Sequence, residues 1–335
     1  MSLGVKVKRR CGEQFRKLLV EVRAFDRSHK IGSDESHVYL PVRPLDEQEM
    51  YRLRKVSDFE LVDMDFRPEE QMACPEDTLG FRPSFEVVGD IAIVEEERAE
   101  DVASALMSCY KSIRAVIAPI SDVEGEFRTR RFRHVAGEKR TITTHKEHGQ
   151  RYRVDLEGAY FTPRLGTERL RVAEQIHISD VVLDMFAGVG PFAILLAKKG
   201  AKVIAMDKNP IAVKYLKENA FLNKVQNIEI LEGDAADLAI RYENTADHVI
   251  MNLPHSAASF LVPAMRVARD GGVVHYYAIA PEEGLYRDGE LIKKTSDQLG
   301  FSADIIHQGV VRSYAPKRYN VVIEFRVRKP PDSMH

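Results

Sequence analysis

The spacing of apolar positions changes near residue 181, and the carboxyl-terminal half of the chain has the more regular pattern. There, short apolar runs alternate with stretches of helical periodicity, which predicts a parallel, doubly wound sheet of the α/β class. The predicted strands are VVLDMF, KVIAMD, IEILEGD, HVIMNLP and GGVVHYYAIA, and the predicted helices span 191–199, 210–223, 235–242, 256–268 and 291–299. Two long apolar runs then flank Pro316-Lys317-Arg318 without a crossover helix, so they should pair antiparallel and complete a seven-stranded sheet.

The amino-terminal half has shorter and less regular elements. Strand and helix patterns at its start indicate a small α/β domain, and an acidic stretch with prolines and weak periodicity then indicates a linker. A strand-rich middle domain follows, with a strand predicted at 125–128 and a hairpin that turns at His148-Gly149. The predicted segments are 1–60 for the small domain, 61–83 for the linker, 84–165 for the middle domain and 166–335 for the alternating domain.

The formal net charge is -2, with 49 Lys and Arg against 51 Asp and Glu, which argues against a generic polycation such as a chromatin coat protein. The charges are segregated, however: residues 128–171 carry 12 basic and 5 acidic residues, whereas residues 46–101 carry 6 basic and 18 acidic ones. Most of the basic residues are arginines, which suit phosphate groups, and interleaved aromatic residues could stack unpaired bases. A solvated charged face is the alternative, but the position directly ahead of the α/β domain favours an RNA-facing module.

Acidic and glycine residues follow the predicted strands at the edge where an open α/β sheet binds ligands. Asp184 precedes a loop with Gly188 and Gly190, and an acid there suits a ligand with an ammonium group rather than a pyrophosphate. Asp207 ends the second strand, where a carboxylate can accept ribose hydroxyls, and Asp234 follows the third, where one can accept the exocyclic amine of adenine. Alone, the glycine loop also fits a dinucleotide site, and either aspartate could be a turn residue.

This set, with Asn252-Leu253-Pro254 after the fourth strand and the terminal strand pair, resembles the class I S-adenosylmethionine-dependent methyltransferases over residues 181–328. The resemblance implies a Rossmann-like sheet and S-adenosylmethionine as the cofactor. The candidate cofactor-binding residues are Arg164, Asp184, Phe186, Gly188, Val189, Gly190, Asp207, Asp234, Ala235 and Asn252. Many base-nitrogen methyltransferases carry an Asn/Asp-Pro-Pro-aromatic motif after the fourth strand. This run has Leu253 in place of the first proline and His255 in place of the aromatic residue, so other groups could hold the base.

A more specific resemblance covers most of residues 123–319. The stretches GEFRTRRFRHVAGEKRTITTHKEHGQRYRVDL, AYFTPRLGTER, DMFAGVGPF, NLP, GGVVHYY and VRSYAPKRY are similar to the archaeal and eukaryotic tRNA (guanine-N1)-methyltransferases that act at position 37, beside the anticodon. The resemblance implies three domains: a small amino-terminal domain that contacts the outer corner of the tRNA, a middle RNA-binding domain and a catalytic domain.

The same resemblance implies roles for individual residues. Arg140 in GEKRT would stabilise the negative charge that grows on guanine O6, and Glu168 in PRLGTER would accept the N1 proton, a pair of groups that this reaction requires. Asn252 and Pro254 would complete the catalytic set by shaping the base pocket. The candidate substrate-binding residues are Tyr160, which would position the flipped base, and Arg169, Arg131 and Arg133. Without the resemblance, Glu168 is equally a first-turn helix acid favoured by the helix dipole.

Two other functions stay open at this stage. A wyosine-pathway tRNA enzyme would act at the same nucleotide, either methylating a tricyclic precursor or transferring an aminocarboxypropyl group. A non-catalytic RNA-binding protein with a vestigial methyltransferase fold is the second alternative, and the intact glycines and carboxylates argue against it.

The sequence shows no signal peptide, no apolar run long enough to span a bilayer and no Cys-x-x-Cys pair, since Cys11, Cys74 and Cys109 lie far apart. We therefore expect a cytoplasmic protein without disulfides, membrane contact or a metal site, and the resemblance implies a monomer.

Overall fold

The structure of the protein is a computed structural model that describes residues 2–68, 74–95, 97–122 and 125–330. Its contacts divide it into two compact units, Met1–Cys74 and Pro75–His335. The elements of the first unit are β1 (Ser2–Lys8), α1 (Gly12–Glu21), β2 (Gly32–Ser33), β3 (His37–Pro41), α2 (Glu47–Arg54) and β4 (Glu60–Met64).

The first unit is an antiparallel sheet in the order β2-β3-β1-β4. Phe15 and Leu19, on one face of α1, and Leu53 of α2 are fully buried in its core. A capping box starts α2, because Asp46 accepts the Glu49 N–H at 2.8 Å and Glu49 accepts the Asp46 N–H at 3.0 Å. This confirms the expectation of a small α/β unit at the start of the chain.

The structure differs from the sequence-based interpretation of 61–83 as a linker. Strand β4 pairs antiparallel with β1, with Leu61 opposite Val5, and a short helix, α3 (Pro75–Leu79), also lies in this range. The alternation is weak because β4 is an edge strand whose residues are all partly or fully exposed. Contacts separate the chain at residue 74, and the proposed boundary between 84–165 and 166–335 stays a prediction.

The second unit contains two sheets and a hairpin. Its elements after α3 are β5 (Phe85–Val88), β6 (Ile91–Val94), α4 (Ala99–Cys109), β7 (Ala115–Pro119), β8 (Phe132–Gly137), β9 (Ile142–Glu147), β10 (Gln150–Asp155), α5 (Gly166–Ala173), β11 (Val181–Asp184), α6 (Pro191–Lys198), β12 (Lys202–Asp207), α7 (Pro210–Leu222), β13 (Ile228–Glu232), α8 (Ala235–Ala239), β14 (Ala246–Met251), α9 (Leu261–Val267), β15 (Ala268–Pro281), α10 (Asp288–Gln298), β16 (Ser302–Ala315) and β17 (Arg318–Arg328).

The smaller sheet has the order β5-β6-β7-β8, and α4 packs its apolar face on it. The predicted hairpin is present, with β9 and β10 paired antiparallel around His148-Gly149. Residues 125–128 form turns rather than the predicted strand, because Gly125 and Arg128 both have a positive φ, of +69° and +54°.

The larger sheet confirms the predicted seven-stranded α/β architecture. Its order is β13-β12-β11-β14-β15-β17-β16, with the first five strands parallel and the last two antiparallel to their neighbours. The three central parallel strands, β12, β11 and β14, are short runs of mostly buried apolar residues covered by helices on both faces, which is the pattern that the sequence shows. The edge strand β13 has no buried residue, and β15 is longer, with 14 residues. The carboxyl ends of the parallel strands therefore meet along one edge.

No helix in the described ranges is long and apolar enough to cross a membrane. The same ranges contain no group of three or more His, Cys, Asp or Glu residues arranged to hold a metal ion.

Candidate active site

A cavity, here called the central cavity, lies at the carboxyl ends of the parallel strands. The loops after β11 to β14 supply the lining residues Met185, Phe186, Ala187, Gly188, Asp207, Lys208, Asn209, Gly233, Asp234, Ala235, Asn252, Leu253, Pro254 and His255. Other parts of the second unit supply Glu126, Phe127, Arg128, Tyr160, Phe161, Thr162, Arg169, Phe260, Ile279, Arg312, Tyr314 and Asn320. Most of the cofactor residues expected from the sequence thus share one cavity.

Two glycines shape the loop that leads from β11 into α6. Gly188 and Gly190 have φ of +54° and +94°, in the left-handed region that favours glycine. The Gly188 N–H donates to Asp207 Oδ2 at 2.7 Å, which ties the loop to the end of β12. A Cβ added at Gly190 would lie 2.3 Å from Leu216 Cδ1, whereas one at Gly188 would meet nothing closer than 3.9 Å.

These two positions give a matched pair of variants. We expect Gly190→Ala to lower the free energy of unfolding by about 2–4 kcal/mol, because it adds overpacking against Leu216 to backbone strain. Gly188→Ala should lower the free energy of unfolding by only about 1–2 kcal/mol, because an alanine in the left-handed region adds backbone strain alone. Chemical denaturation of both variants measures the difference, and equal losses would contradict the packing argument.

Asp207 and Asp234 are oriented by backbone donors. Asp207 accepts the Asn209 N–H at 2.8 Å on its second oxygen, and Asp234 accepts the Ala236 N–H at 2.9 Å as the N-cap of α8. Burial raises the pKa of Asp207. Each carboxylate oxygen can accept more than one hydrogen bond, so both side chains can still accept hydroxyl or amine donors from a ligand. Lys208 Nζ lies 3.4 Å from Asp234 Oδ2.

Asp184 ends β11 and is 1% exposed. It does not line the central cavity, although Met185 and Phe186 beside it do. One of its oxygens accepts the Phe186 N–H at 3.4 Å, and the other is buried without a hydrogen-bond partner in the described part of the chain. Burial raises the pKa of Asp184 to about 7. A buried carboxylate oxygen without a donor is unfavourable, so this position fits a ligand that brings a cation to it.

Two of the candidate substrate residues lie at the central cavity. Tyr160 is 42% exposed, and the guanidinium of Arg128 lies 5.6 Å from the centre of its ring. Arg169, on α5, is 1% exposed and donates to both oxygens of Glu147, at 2.6 and 2.5 Å, and to the Thr162 carbonyl at 3.1 Å. Glu147 neutralises the charge of Arg169, and the hydrogen bonds between the two residues join the β9–β10 hairpin to α5 in this structure.

A second cavity, here called the arginine cavity, adjoins the central cavity and shares Tyr160 with it. Four arginines line it: Arg128, Arg130, Arg164 and Arg312. Arg164, expected from the sequence at the cofactor, lies here and pairs with Glu86 at 3.1 Å. Arginines beside exposed aromatic rings are typical of surfaces that hold nucleotide phosphates and stack bases.

Arg140 does not line the central cavity. Its guanidinium donates to both oxygens of Asp90 at 3.0 and 2.7 Å, to Glu138 at 2.7 Å and to the Ile142 carbonyl at 2.7 Å. The hydrogen bonds that Arg140 donates to Asp90 contribute most to raising the pKa of Arg140. It lines a third cavity together with Lys146.

Glu168 also lies outside the lining of the central cavity and is 7% exposed. It accepts the Tyr277 hydroxyl at 2.7 Å and two bonds from Arg171 at 2.8 and 2.7 Å. Arg171 also donates to Glu324 at 2.6 Å, and Glu324 lies 2.7 Å from His275 Nδ1. Glu168 is therefore one end of a buried network, which we call the Glu168 network.

The remaining sequence-based candidates take other positions. Val189 and Gly190 do not line the central cavity, Arg131 lines neither it nor the arginine cavity, and Arg133 donates to Glu100 at 2.9 Å. Sequence reasoning assigned no role to several cavity residues, namely Glu126, Lys208, Asn209, Phe260, Ile279, Arg312, Tyr314 and Asn320. The antiparallel pairing of β16 and β17 was the available signal for Asn320, and the stretch VRSYAPKRY was a further one for Arg312.

Comparisons with known proteins identify the family. A model described as the TRM5/TYW2 methyltransferase domain matches residues 143–303, and models of the tRNA methyltransferase 5 and TYW2 N-terminal domains match residues 4–49 and 71–141. The tRNA (guanine(37)-N(1))-methyltransferase Trm5b of Pyrococcus abyssi is 41% identical over 338 residues, covering 98% of this chain and 99% of the relative. The chain belongs to the Trm5 family. The specific resemblance predicted from the sequence is therefore confirmed.

Two solved structures of this family, and a relative named for a different activity, are also similar to the chain. The crystal structure of Trm5b from Pyrococcus abyssi has a TM-score of 0.71 at 39% identity, covering 98% of this chain and all of that one. A complex of aTrm5 and tRNALeu has a TM-score of 0.68 at 33% identity, covering 97% of this chain and 99% of that one. The tRNA(Phe) (4-demethylwyosine(37)-C(7)) aminocarboxypropyltransferase of Methanocaldococcus jannaschii is 33% identical and covers 73% of this chain and 98% of the relative.

Proposed function

We propose that this enzyme transfers a methyl group from S-adenosylmethionine to N1 of guanosine 37 of tRNA. The observation that carries the proposal is the junction of two cavities: one bears carboxylates at successive strand ends, the other bears four arginines, and Tyr160 lies at both. Relatives named for this activity match nearly the whole chain, whereas the aminocarboxypropyltransferase covers 73% of it, which favours N1 methylation over the wyosine-pathway alternative.

The residues of the central cavity fit the cofactor, which supplies an electrophilic methyl group when bound. Asp184 does not line the cavity itself but adjoins the lining residues Met185 and Phe186. It would hold the ammonium group of the cofactor, because its carboxylate has a buried oxygen without a donor in the described part of the chain. Asp207 would accept the ribose hydroxyls and Asp234 the adenine amine, since backbone bonds orient both carboxylates and leave them free acceptor capacity. Asn252 and Pro254, at the end of β14, would shape the pocket for the base.

Methylation of guanine N1 requires removal of its proton, which shifts negative charge onto O6 until the methyl group is transferred to N1. We propose Glu168 as the base and Arg140 as the group that stabilises O6. In the present structure each makes other contacts, Glu168 with Arg171 and Tyr277, and Arg140 with Asp90. The proposal therefore requires that RNA binding exchange at least some of these contacts for contacts to guanine.

The role of Arg140 gives a testable prediction. We expect Arg140→Ala to lower kcat by about tenfold to hundredfold, because O6 would lose a charged donor. Arg140→Lys should recover only part of the rate, since one ammonium replaces a planar fork. Single-turnover methylation of a tRNA transcript measures both. Full recovery with lysine would indicate that charge alone matters, and an unchanged rate with alanine would remove Arg140 from the mechanism.

The proposed function itself is tested on unmodified tRNA transcripts with guanosine or adenosine at position 37. Methyl transfer to the guanosine transcript alone, with 1-methylguanosine identified by mass, is the expected result. An aminocarboxypropyl product has a different mass and would support the wyosine-pathway alternative. Calorimetry with S-adenosylmethionine tests the third candidate, because a vestigial methyltransferase fold would not bind it.

We further propose that the enzyme works on tRNA as a cytoplasmic monomer without membrane contact, with its first unit at the outer corner of the tRNA and its arginine cavity at the anticodon loop. Removing residues 1–74 should then weaken tRNA binding while leaving S-adenosylmethionine affinity unchanged, because the whole central cavity lies in the second unit.

A further inference from the structure

Two polar side chains on β16 and β17 each have one buried atom without a hydrogen-bond partner in the described part of the chain. Asn320 on β17 is 3% exposed, and its Oδ1 is buried without a donor in the described part of the chain. The buried Nε of Arg312 on β16 likewise has no acceptor there. The two residues are direct cross-strand partners and both line the central cavity. Buried polar groups are nearly always paired, so this pair points to a ligand.

The sheet order indicates which ligand the pair meets. Asp207 and Asp234 follow β12 and β13, on one side of β11, and this half of the cavity carries the carboxylates suited to the cofactor. Asn252 follows β14, whereas Asn320 and Arg312 belong to β17 and β16, and all three strands lie on the other side of β11. The unpartnered pair therefore belongs to the half of the cavity that is left for the target base.

We propose that Arg312 and Asn320 select guanine by reading its Watson–Crick edge, a proposal that rests on the function proposed above. Arg312 donates to O6, and Asn320 Oδ1 accepts from the 2-amino group. The Cβ atoms of cross-strand partners lie about 4.5–5.5 Å apart, so their side chains can reach two groups on one base edge. N1 lies between these groups and stays open for the methyl group.

The donor and acceptor of this pair match guanine and oppose adenine. Adenine presents an amino donor at position 6, where Arg312 also donates, and it has no amine at position 2 for Asn320. The pair is also suited to a base rather than a phosphate, because a carbonyl oxygen such as Asn320 Oδ1 has nothing to accept from a phosphate anion. O6 has two lone pairs, so a bond from Arg312 is compatible with the role proposed for Arg140.

The experiment uses the full-length protein and three transcripts that differ only at position 37, which is guanosine, inosine or adenosine. Inosine keeps O6 and N1–H but lacks the 2-amino group. The wild-type enzyme should have a kcat/KM about tenfold to hundredfold lower on inosine than on guanosine, because Asn320 then lacks its donor. Asn320→Ala should lose about this factor on guanosine and little more on inosine, so that its guanosine-to-inosine ratio approaches one.

Arg312 is tested in parallel. Arg312→Ala should lower kcat/KM on guanosine and inosine alike, since both carry O6, and should lessen the rejection of adenosine, whereas Arg312→Lys should keep part of both properties. The dissociation constant for S-adenosylmethionine, measured by calorimetry, should stay within about twofold of wild type for all three variants, which also shows that they are folded.

The outcomes separate this inference from the proposed function. If the wild-type enzyme methylates guanosine 37 but Asn320→Ala keeps the wild-type guanosine-to-inosine ratio, the inference is wrong and the function stands. Equal losses of kcat/KM on all three transcripts after Arg312→Ala would indicate that Arg312 contacts the RNA phosphate backbone, which carries no base information. A loss of S-adenosylmethionine affinity that accounts for the lost activity would assign the pair to the cofactor and also overturn the inference. No methylation of any transcript by the wild-type enzyme would overturn both.

Discussion

Asp184→Asn should stabilise the ligand-free protein at pH 8 and, at the same pH, weaken its binding of S-adenosylmethionine by about thirtyfold or more. The stabilisation follows because the variant removes a buried carboxylate with an unpartnered oxygen and replaces it with a neutral amide of similar size. The loss of affinity follows because the amide cannot pair with an ammonium group. A gain in stability together with a loss of binding is typical of a residue retained for its ligand.

The pH dependence of stability tests the same residue. Burial raises the pKa of Asp184 from 3.8 to about 7, so its contribution to folding is fully present below pH 3.8 and is lost as the pH rises through about 7. Between pH 5 and pH 8 the wild-type protein should therefore lose roughly 1–3 kcal/mol of unfolding free energy relative to Asp184→Asn. Binding of S-adenosylmethionine should tighten over the same interval, because it needs the carboxylate, and should release a proton below pH 7.

Asp234→Asn is the matched control for this prediction. Asparagine caps helices as well as aspartate does, so the bond to the Ala236 N–H and the start of α8 should be kept. We expect unchanged stability at both pH values and a smaller loss of affinity than for Asp184→Asn. If Asp184→Asn instead lowers stability at pH 8, its carboxylate has a structural partner and the assignment to the ammonium group is wrong.

The parallel sheet could be predicted from the sequence because its strands are apolar runs that alternate regularly with stretches of helical periodicity. The region before it was harder. Strands β7 and β8 were missed, since Ala115–Pro119 is a single apolar run outside the regular repeat and Phe132–Gly137 has no buried residue and no alternation. The turn at 125–128 was predicted as a strand because a positive φ at Arg128 is not visible in residue type. Edge strands and irregular loops depend on tertiary pairing, which local periodicity does not encode.

The candidate site shows the same division. Asp207, Asp234 and Asn252 were predictable, because each follows a strand and the carboxyl ends of parallel strands meet at one edge. Arg312 and Asn320 were not, because only the antiparallel pairing of β16 with β17 brings them to the same cavity. The contacts that occupy Glu168 and Arg140 could not be predicted either, since the partners Tyr277 and Asp90 are far away in the sequence.

Glu168→Gln should lower kcat by about a hundredfold or more and leave the affinity for S-adenosylmethionine nearly unchanged, because glutamine cannot accept the N1 proton. The side chain is nearly isosteric and can still accept the Tyr277 hydroxyl and one bond from Arg171, so the fold should persist. Single-turnover methylation, calorimetry with S-adenosylmethionine and thermal unfolding should be measured on the same preparation. The pH profile of kcat should change as well, since the variant removes the proposed base.

Glu324→Gln distinguishes a catalytic Glu168 from a structural one. Glu324 shares Arg171 with Glu168, and its hydrogen bonds from His275 and Arg171 outweigh burial and hold its pKa below the usual range. The substitution therefore weakens the Glu168 network without touching the proposed base. We expect Glu324→Gln to lower the melting temperature at least as much as Glu168→Gln does while retaining most of kcat. Equal loss of kcat in the two variants would mean that Glu168 acts through the network, and the base would then have to be sought among the residues that line the central cavity.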